Sequence, residues 1–378
     1  MRFVIAPQEF KGSLTAAQAA GAIAAGVRDA VPGADLDLAP MSDGGPGLVD
    51  AMLSARGGRR IDSPAHDPLM RPMLAAWALL PDGTAVIEMA AASGLVLLSA
   101  DERDPLVATT YGTGELVRAA LDRGAARIIV GVGGSATVDG GAGAMQALGA
   151  RLLDATRAEL PPGGAPLTRL DRIDLSGVDP RLASTQVRVA SDVTNTLCGP
   201  TGAATIFGPQ KGASPDGVRA LDAALRRFAE IALRDAGVDL LDVSGGGAAG
   251  GLGAGLMLVA RATIEPGFAI VAEAAGLDER IARCDAVMTG EGRLDAQTAF
   301  GKTADGVAKL ARKHGKPVAM IAGSIDQGYD ASAGPFDLVE AATPPGMPTA
   351  EAMRAATRLV REAAARVAAR LLAPRDPV

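Results

Sequence analysis

The segment Asp285-Ala-Val-Met-Thr-Gly-Glu-Gly-Arg-Leu-Asp-Ala-Gln-Thr-Ala-Phe-Gly-Lys302 leaves a short apolar run and enters glycines interspersed with Glu291, Arg293, Asp295 and Lys302. Read as a strand, Ala286 to Met288 is buried, and Thr289 to Asp295 form the loop at its C-terminal end. In open α/β sheets ligands sit beyond the carboxyl ends of the strands. Gly290 and Gly292 let the backbone take φ > 0 or approach a ligand closely. Carboxylates and cations on such a loop suit a metal-bound polyanion. Mg²⁺ takes one or two carboxylates plus substrate phosphates, and phosphoryl transfer needs a carboxylate to orient or deprotonate the attacking hydroxyl.

The same combination recurs. Asp43 lies in Pro40 to Gly47, Asp139 in Gly131 to Gly143, and Asp192 in Ser191 to Asn195, each after a predicted strand. Any one aspartate is as well explained as a turn residue, but with Glu291 and Asp295 they form a set. Lys11, Lys211, Arg293 and Lys302 each adjoin a glycine, and they can offset phosphate charge or hold a substrate carboxylate. A lone surface lysine is otherwise a solvated cation.

Other chemistries fit poorly. Gly245, Gly247 and Gly250 satisfy G-x-G-x-x-G, and Gly131, Gly133 and Ala136 its relaxed form. The dinucleotide fingerprint requires the helix to begin inside the motif, whereas Thr137, Asp139 and two more glycines follow Gly133. Gly301-Lys302-Thr303 ends like a P-loop, but Ala296 stands where its first glycine belongs. His66 with His314, and Cys198 with Cys284, lack zinc spacing.

Behind these loops stands a chain of 378 residues, enough for two domains. Aromatics make up only 3%, so the core is built from Ala, Val, Leu, Ile and Met. A net charge of −6 without a Lys/Arg tract gives no nucleic-acid footprint. Two cysteines make no disulfide framework, the N-terminus reads directly as a strand, and no apolar run reaches the ~18 residues of a membrane span. The expectation is a cytoplasmic protein acting on a small molecule, as a monomer or homodimer, without nucleic acid or membrane partners.

The pattern predicts strands at Phe3 to Ala6 and Leu36 to Ala39, with helices from N-cap Thr15 to Ala30 and from Leu48 to Ala55. Met73 to Leu80 and Thr84 to Met89, joined by Pro81-Asp-Gly83, read as an antiparallel hairpin. Helices follow over Gly114 to Arg123, Met145 to Leu153 and Val218 to Ala236, with strands at Arg127 to Val130 and Gln186 to Ala190. Strand and helix alternation returns after Asp285 and ends in a long helix from Ala350 to Leu372. The expected class is α/β with two domains: residues 1–60 and 283–378 form a discontinuous parallel-sheet domain, and 61–282 an inserted mixed α/β domain.

Taken together, Gly133-Gly-Ser-Ala-Thr-Val-Asp-Gly-Gly-Ala-Gly143, Asp192-Val-Thr-Asn195 with Phe207-Gly-Pro-Gln-Lys-Gly212, the block Gly245 to Gly255, and Gly290-Glu-Gly-Arg-Leu-Asp-Ala-Gln-Thr298 with Gly301-Lys302 resemble the bacterial glycerate kinase family. The resemblance keeps family order over essentially the whole chain. It implies phosphorylation of D-glycerate by ATP with Mg²⁺, on the 2-hydroxyl to give 2-phosphoglycerate. It also implies a Rossmann-like (flavodoxin-like) domain interrupted by the second domain, with the active site in the cleft between them. Phosphorylation at the 3-hydroxyl, another small hydroxy-acid acceptor and a non-catalytic hydroxy-acid sensor are the alternatives.

On these motifs Asp192, Lys211 and Asp295 are expected to be catalytic, and Asp192, Glu291 and Asp295 to hold the metal. Lys11, Asp43, Ser135, Arg293 and Lys302, with Gly133, Gly134, Gly290 and Gly292, are expected to bind substrate or phosphate. Thr194 and Asn195 are expected to orient Asp192. Two departures concern the acceptor. The family opening Ala-Pro-Asp-Ser-Phe-Lys-Gly reads Ala6-Pro-Gln-Glu-Phe-Lys-Gly12 here, and Ala-Asp-Gly-Gly-Glu-Gly reads Ser42-Asp-Gly-Gly-Pro-Gly47, so Gln8 and Pro46 each replace a carboxylate.

Overall fold

The computed structural model describes residues 1–294, 303–326, 328–330 and 334–372; Asp295 and Lys302 lie outside the described residues. The strands in chain order are β1 (Arg2–Ile5), β2 (Asp35–Leu38), β3 (Arg59–His66), β4 (Pro72–Leu79), β5 (Thr84–Glu88), β6 (Arg127–Gly131), β7 (Arg151–Leu153), β8 (Arg172–Asp174), β9 (Gln186–Ala190), β10 (Thr263–Glu265), β11 (Ala286–Leu294), β12 (Val318–Ile325) and β13 (Leu338–Ala341). The chain divides into two units: Met1–Asp43 with Asp50–Arg56 and Phe268–Val378, and Gly44–Val49 with Gly57–Gly267.

In the first unit the sheet order is β13-β12-β11-β1-β2, with every pair parallel. Counted within the unit this is the 2-1-3-4-5 order of flavodoxin-like folds. Phe3 to Ile5, Ala286 to Met288 and Val318 to Ala322 are buried apolar runs, as parallel strands covered on both faces require. The helix Ala16–Ala30 starts at Thr15, whose hydroxyl accepts from Gln18 N while the Gln18 side chain accepts from Thr15 N. That reciprocal cap satisfies two amides which the first helical turn leaves over. The helix packs closely on Ala356–Leu372: a Cβ on Gly26 would stand 2.1 Å from Arg361 O. The long terminal helix expected from sequence is two pieces, Thr349–Arg354 and Ala356–Leu372.

In the second unit the order is β10-β9-β6-β5-β4-β3, parallel from β10 to β5 and antiparallel from β5 to β3. The expected hairpin is present, with Gly83 at φ 79 and Asp82 accepting from Thr84 N. β3 was not anticipated. It pairs with β4 from Arg59↔Leu79 to His66↔Pro72 and buries only Ile61, Ser63 and Ala65, so its alternation rests on small, weakly apolar side chains. The helix expected over Met145 to Leu153 is only Ala142–Ala147. Gly149, at φ 99, turns the chain, and Leu152 then pairs with Ile173 in the β7–β8 ribbon.

Candidate active site

At the carboxyl edge of the first sheet, the structure corrects the sequence reading. β11 does not end at Met288; it runs to Leu294 and pairs with β12 as far as Leu294↔Ile325. Glu291 and Arg293 are therefore strand residues. Gly290 and Gly292 do not have positive φ, and their smallness serves another purpose. Leaving β1, the chain crosses onto β11, with Gln8 N donating to Gly290 O at 2.8 Å. A Cβ on Gly290 would lie 2.8 Å from Ile321 O and 3.2 Å from the Phe10 ring, and one on Gly292 would lie 3.2 Å from Lys11 N. These glycines make room for the chain's own Phe10–Lys11 turn.

The crossing sits between β1 and β11, where the strand order reverses, which is the ligand position of this fold class. Lys11 and Arg293 are exposed there and Glu291 is buried. Arg293 binds Asp326 through both Nε and Nη2 at 2.8 Å. Asp43 follows β2, and the Met41 N bond to Pro7 O at 2.9 Å ties its segment to the β1 exit. Sequence reasoning missed Glu9. Burial pushes its carboxyl up, Lys11 pulls it down and Asp43 pushes it up again, leaving it above the usual range. The only signal available was its place next to Gln8: the carboxylate lost at position 8 stands one residue further on.

At the carboxyl edge of the second sheet, Glu88 ends β5 and accepts from Gly47 N (3.1 Å) and Val49 N (2.8 Å), fastening the Gly44–Val49 segment. The loop after β6 leans on that segment, with Gly133 N donating to Gly44 O at 3.3 Å. On its other side Leu95 N donates to Gly134 O (2.9 Å) and Ala136 N to Ser93 O (3.0 Å). Gly134 remains exposed at φ 74, between partly exposed Gly133 and Ser135.

Lys211, on the short helical turn Pro209–Lys211, is only 2% exposed. Its Nζ donates to Ser135 Oγ at 2.8 Å and to Thr137 O at 2.7 Å. Burial brings its pKa down to about 7, against the pull of Asp139. Asp139 is a structural carboxylate. Fully buried, it accepts from Thr110 N and Oγ1 (both 2.8 Å), Gly141 N (3.0 Å), Gly143 N (3.2 Å) and Thr109 Oγ1 (3.3 Å). Burial pushes its carboxyl up while these donors hold it down, with burial the larger effect.

Asp192 follows β9, half-buried, and its Oδ1 accepts from Gly267 N at 2.7 Å, at the start of the helix Gly267–Ala274. That amide contributes to its orientation, whereas the Asn195 amide expected to do so donates instead to Thr201 O. The Gly245 to Gly255 block packs on the chain itself. A Cβ on Gly250 would lie 2.0 Å from Thr137 O, and the helix begins only at Leu252, so no dinucleotide fingerprint forms.

The structure thus gathers Lys11, Asp43, Gly290, Glu291, Gly292 and Arg293 on one sheet edge, and Gly133, Gly134, Ser135, Asp192 and Lys211 on the other. Among the described residues no group of three His, Cys, Asp or Glu converges as a metal cage. The candidate ligands Asp192 and Glu291 offer only hard oxygen donors. That fits Mg²⁺ held by one or two carboxylates together with phosphate oxygens. Among the described residues no helix is long and apolar enough to cross a membrane.

Comparison with known proteins decides the family. The glycerate kinase family model matches residues 3–372. The chain belongs to the glycerate kinase family. A glycerate 2-kinase of Escherichia coli (strain K12) is 50% identical over 326 residues, 86% of each chain. A glycerate kinase of Bacillus subtilis (strain 168) is 49% identical over 332 residues, 88% of this chain and 87% of the relative. A crystal structure assigned to a glycerate kinase 2 of Salmonella typhimurium LT2 superimposes with a TM-score of 0.87 at 46% identity, covering 98% of both chains. Membership of this glycerate kinase family makes the protein an enzyme, and a kinase implies ATP as phosphoryl donor.

Proposed function

We propose that the protein transfers the γ-phosphate of ATP to the 2-hydroxyl of D-glycerate, giving 2-phosphoglycerate. The observation that carries this reading is the 50% identity, over 86% of both chains, to the glycerate 2-kinase of Escherichia coli. The donor groups on the two sheet edges support it, because phosphoryl transfer is catalysed chiefly by positioning and by charge placed on the phosphoryl oxygens.

In this reading Asp192, held by Gly267 N, orients the acceptor hydroxyl and takes its proton. Asp192 on one sheet edge and Glu291 on the other are each candidate ligands for Mg²⁺, as is Asp295, outside the described residues. When bound, the ion supplies neutralisation of phosphate charge. On the Gly133–Ser135 rim, Gly134 and Ser135 donate to phosphate oxygens, while Gly133 N is held by Gly44 O. Lys11 and Arg293, with Lys302 outside the described residues, meet anionic groups of the two substrates. Gly290 and Gly292 give the Phe10–Lys11 turn its place against β11, and Asp43 shares the neighbourhood of Glu9 and Lys11. Lys211 stands behind this rim, its Nζ donating to Ser135 Oγ and Thr137 O.

The test is ADP release followed by a coupled assay with D-glycerate, ATP and MgCl₂, with the phosphorylated carbon read by NMR. The expected result is glycerate-dependent turnover that chelation by EDTA abolishes, with phosphate on C2. No glycerate-dependent ADP at saturating Mg²⁺ would overturn the reading. Because Gln8 is buried against Gly290 with Glu9 beside it, the acceptor panel includes other small hydroxy acids. Faster turnover of one of them would replace glycerate as substrate.

A further inference from the structure

Lys211 is the largest charged side chain in the interior of the second unit, yet its ammonium faces protein oxygens and not open space. An ammonium only donates hydrogen bonds. When Lys211 donates to Ser135 Oγ at 2.8 Å, the serine oxygen is the acceptor, and the serine's own proton has to be given elsewhere. Thr137 O, at 2.7 Å from Nζ, fixes the lysine from a second direction. The bonds from Leu95 N to Gly134 O and from Ala136 N to Ser93 O clamp the loop on both sides of Ser135. Ser135 therefore has a defined place and is partly exposed beside exposed Gly134. Among the described residues the amides of Gly134 and Ser135 donate to no acceptor, so the rim has two backbone donors to offer beside the Ser135 hydroxyl.

We infer that Lys211 is a positioning residue that does not touch substrate, and that it acts through Ser135 by turning the Ser135 hydroxyl outward as a donor to an anionic oxygen on the Gly133–Ser135 rim. This rests on the proposed kinase reading in one respect: the anion is taken to be a phosphate or carboxylate of the two substrates. It revises the simpler idea that Lys211 neutralises phosphate charge directly. The ionisable group acting on the ammonium is Asp139, itself filled by the amides of Thr110, Gly141 and Gly143.

The polarity of the Lys211–Ser135 bond gives the inference a pH signature. Below about pH 7 Lys211 is an ammonium, and Ser135 points its proton at the ligand. Above that value the neutral amine has a lone pair that accepts a hydrogen bond from the Ser135 hydroxyl, so the rim loses a donor. kcat/KM of the parent enzyme should fall as pH rises through this range, and Ser135→Ala should lack that limb.

The decisive experiment is a double-mutant cycle of Ser135→Ala, Lys211→Met and the pair, in the full-length protein, with kcat and KM measured for ATP and D-glycerate. Each single change is expected to lower kcat/KM by about tenfold, the scale of one hydrogen bond to a charged group. The double variant should be no worse than the poorer single one, to within about threefold, because coupled residues are not additive. Multiplying effects would overturn the inference. Should Lys211→Met fail to fold, the Ser135→Ala profile decides alone, and a limb near pH 7 that persists there overturns it. Calorimetric binding of tripolyphosphate to the same variants reads the cycle without turnover. A parent protein inactive on glycerate but non-additive for tripolyphosphate would refute the substrate reading and leave the Lys211–Ser135 inference standing.

Discussion

Gly133 and Gly45 meet backbone to backbone: a Cβ on Gly133 would stand 2.4 Å from the Gly45 Cα. The contact joins the loop after β6 to the Gly44–Val49 segment, and neither partner is a side chain that can swing away. Gly133→Ala is therefore expected to destabilise by ~1–3 kcal/mol through overpacking, with loss of activity as the rim shifts. Gly134→Ala, at φ 74 with its nearest neighbour 3.4 Å away, should cost only the left-handed backbone penalty of ~1–2 kcal/mol. Urea midpoints of the two variants check the order. A Gly133→Ala protein as stable as the parent would show that the contact relaxes freely.

Asp192→Asn should keep the fold, because the retained side-chain oxygen still accepts from Gly267 N. Its kcat is expected to drop ~10²-fold or more, the usual effect of removing one well-placed charged group. Thermal melting and steady-state kinetics on one preparation separate the two properties. A folded variant with kcat within about threefold of the parent, under ~1 kcal/mol, would make Asp192 structural.

Asp139→Asn should behave in the opposite way. An asparagine offers one oxygen where the carboxylate now serves amides of Thr110, Gly141 and Gly143 through both of its oxygens. Its NH₂ would face donors, leaving buried N–H groups unsatisfied at ~1–3 kcal/mol each. The expected result is a large fall in the denaturation midpoint, with any activity change following the folded fraction. Parent-like stability with lost kcat would return Asp139 to the chemical residues.

Stability should depend on pH through Lys211. Its pKa is about 7 in the folded protein against an ordinary value of 10.5, so between those values the unfolded chain holds one more proton. Stability then rises with pH across this window, by up to about 1.4 kcal/mol per unit, and falls as pH drops toward 7. Below about 7 both states carry the proton and the contribution stops changing. Denaturation of the parent and of Lys211→Met at about pH 7.5 and about pH 9.5 tests this, since the parent should gain on the variant as pH rises. An unchanged difference would mean that Ser135, Thr137 and Asp139 compensate the buried ammonium fully.

Local patterns carried much of this protein. The Thr15 cap, the Pro81-Asp-Gly83 turn and the buried apolar strands are written in a few neighbouring residues each, and they give the α/β class. The long glycine-rich motifs, in order, gave the family. Side chains that depend on distant partners were not legible. β3 shows its pairing only against β4, and β11 runs on to Leu294 because β12 lies alongside it. Gly290 and Gly292 looked like ligand glycines, but they are small because Phe10 and Lys11, remote in sequence, pass over them. Asp139 and Asp192 look alike as loop aspartates in the sequence. Only the fold surrounds one with five donors deep in the interior and leaves the other half-exposed, its Oδ1 on the Gly267 amide. The sequence by itself determined the strand and helix alternation and the family, since these follow from short-range periodicity and contiguous motifs. Tertiary structure alone decided which charged groups are buried among protein donors and which stay accessible at the sheet edges, because burial and hydrogen-bond partners are set by contacts between residues far apart in the chain.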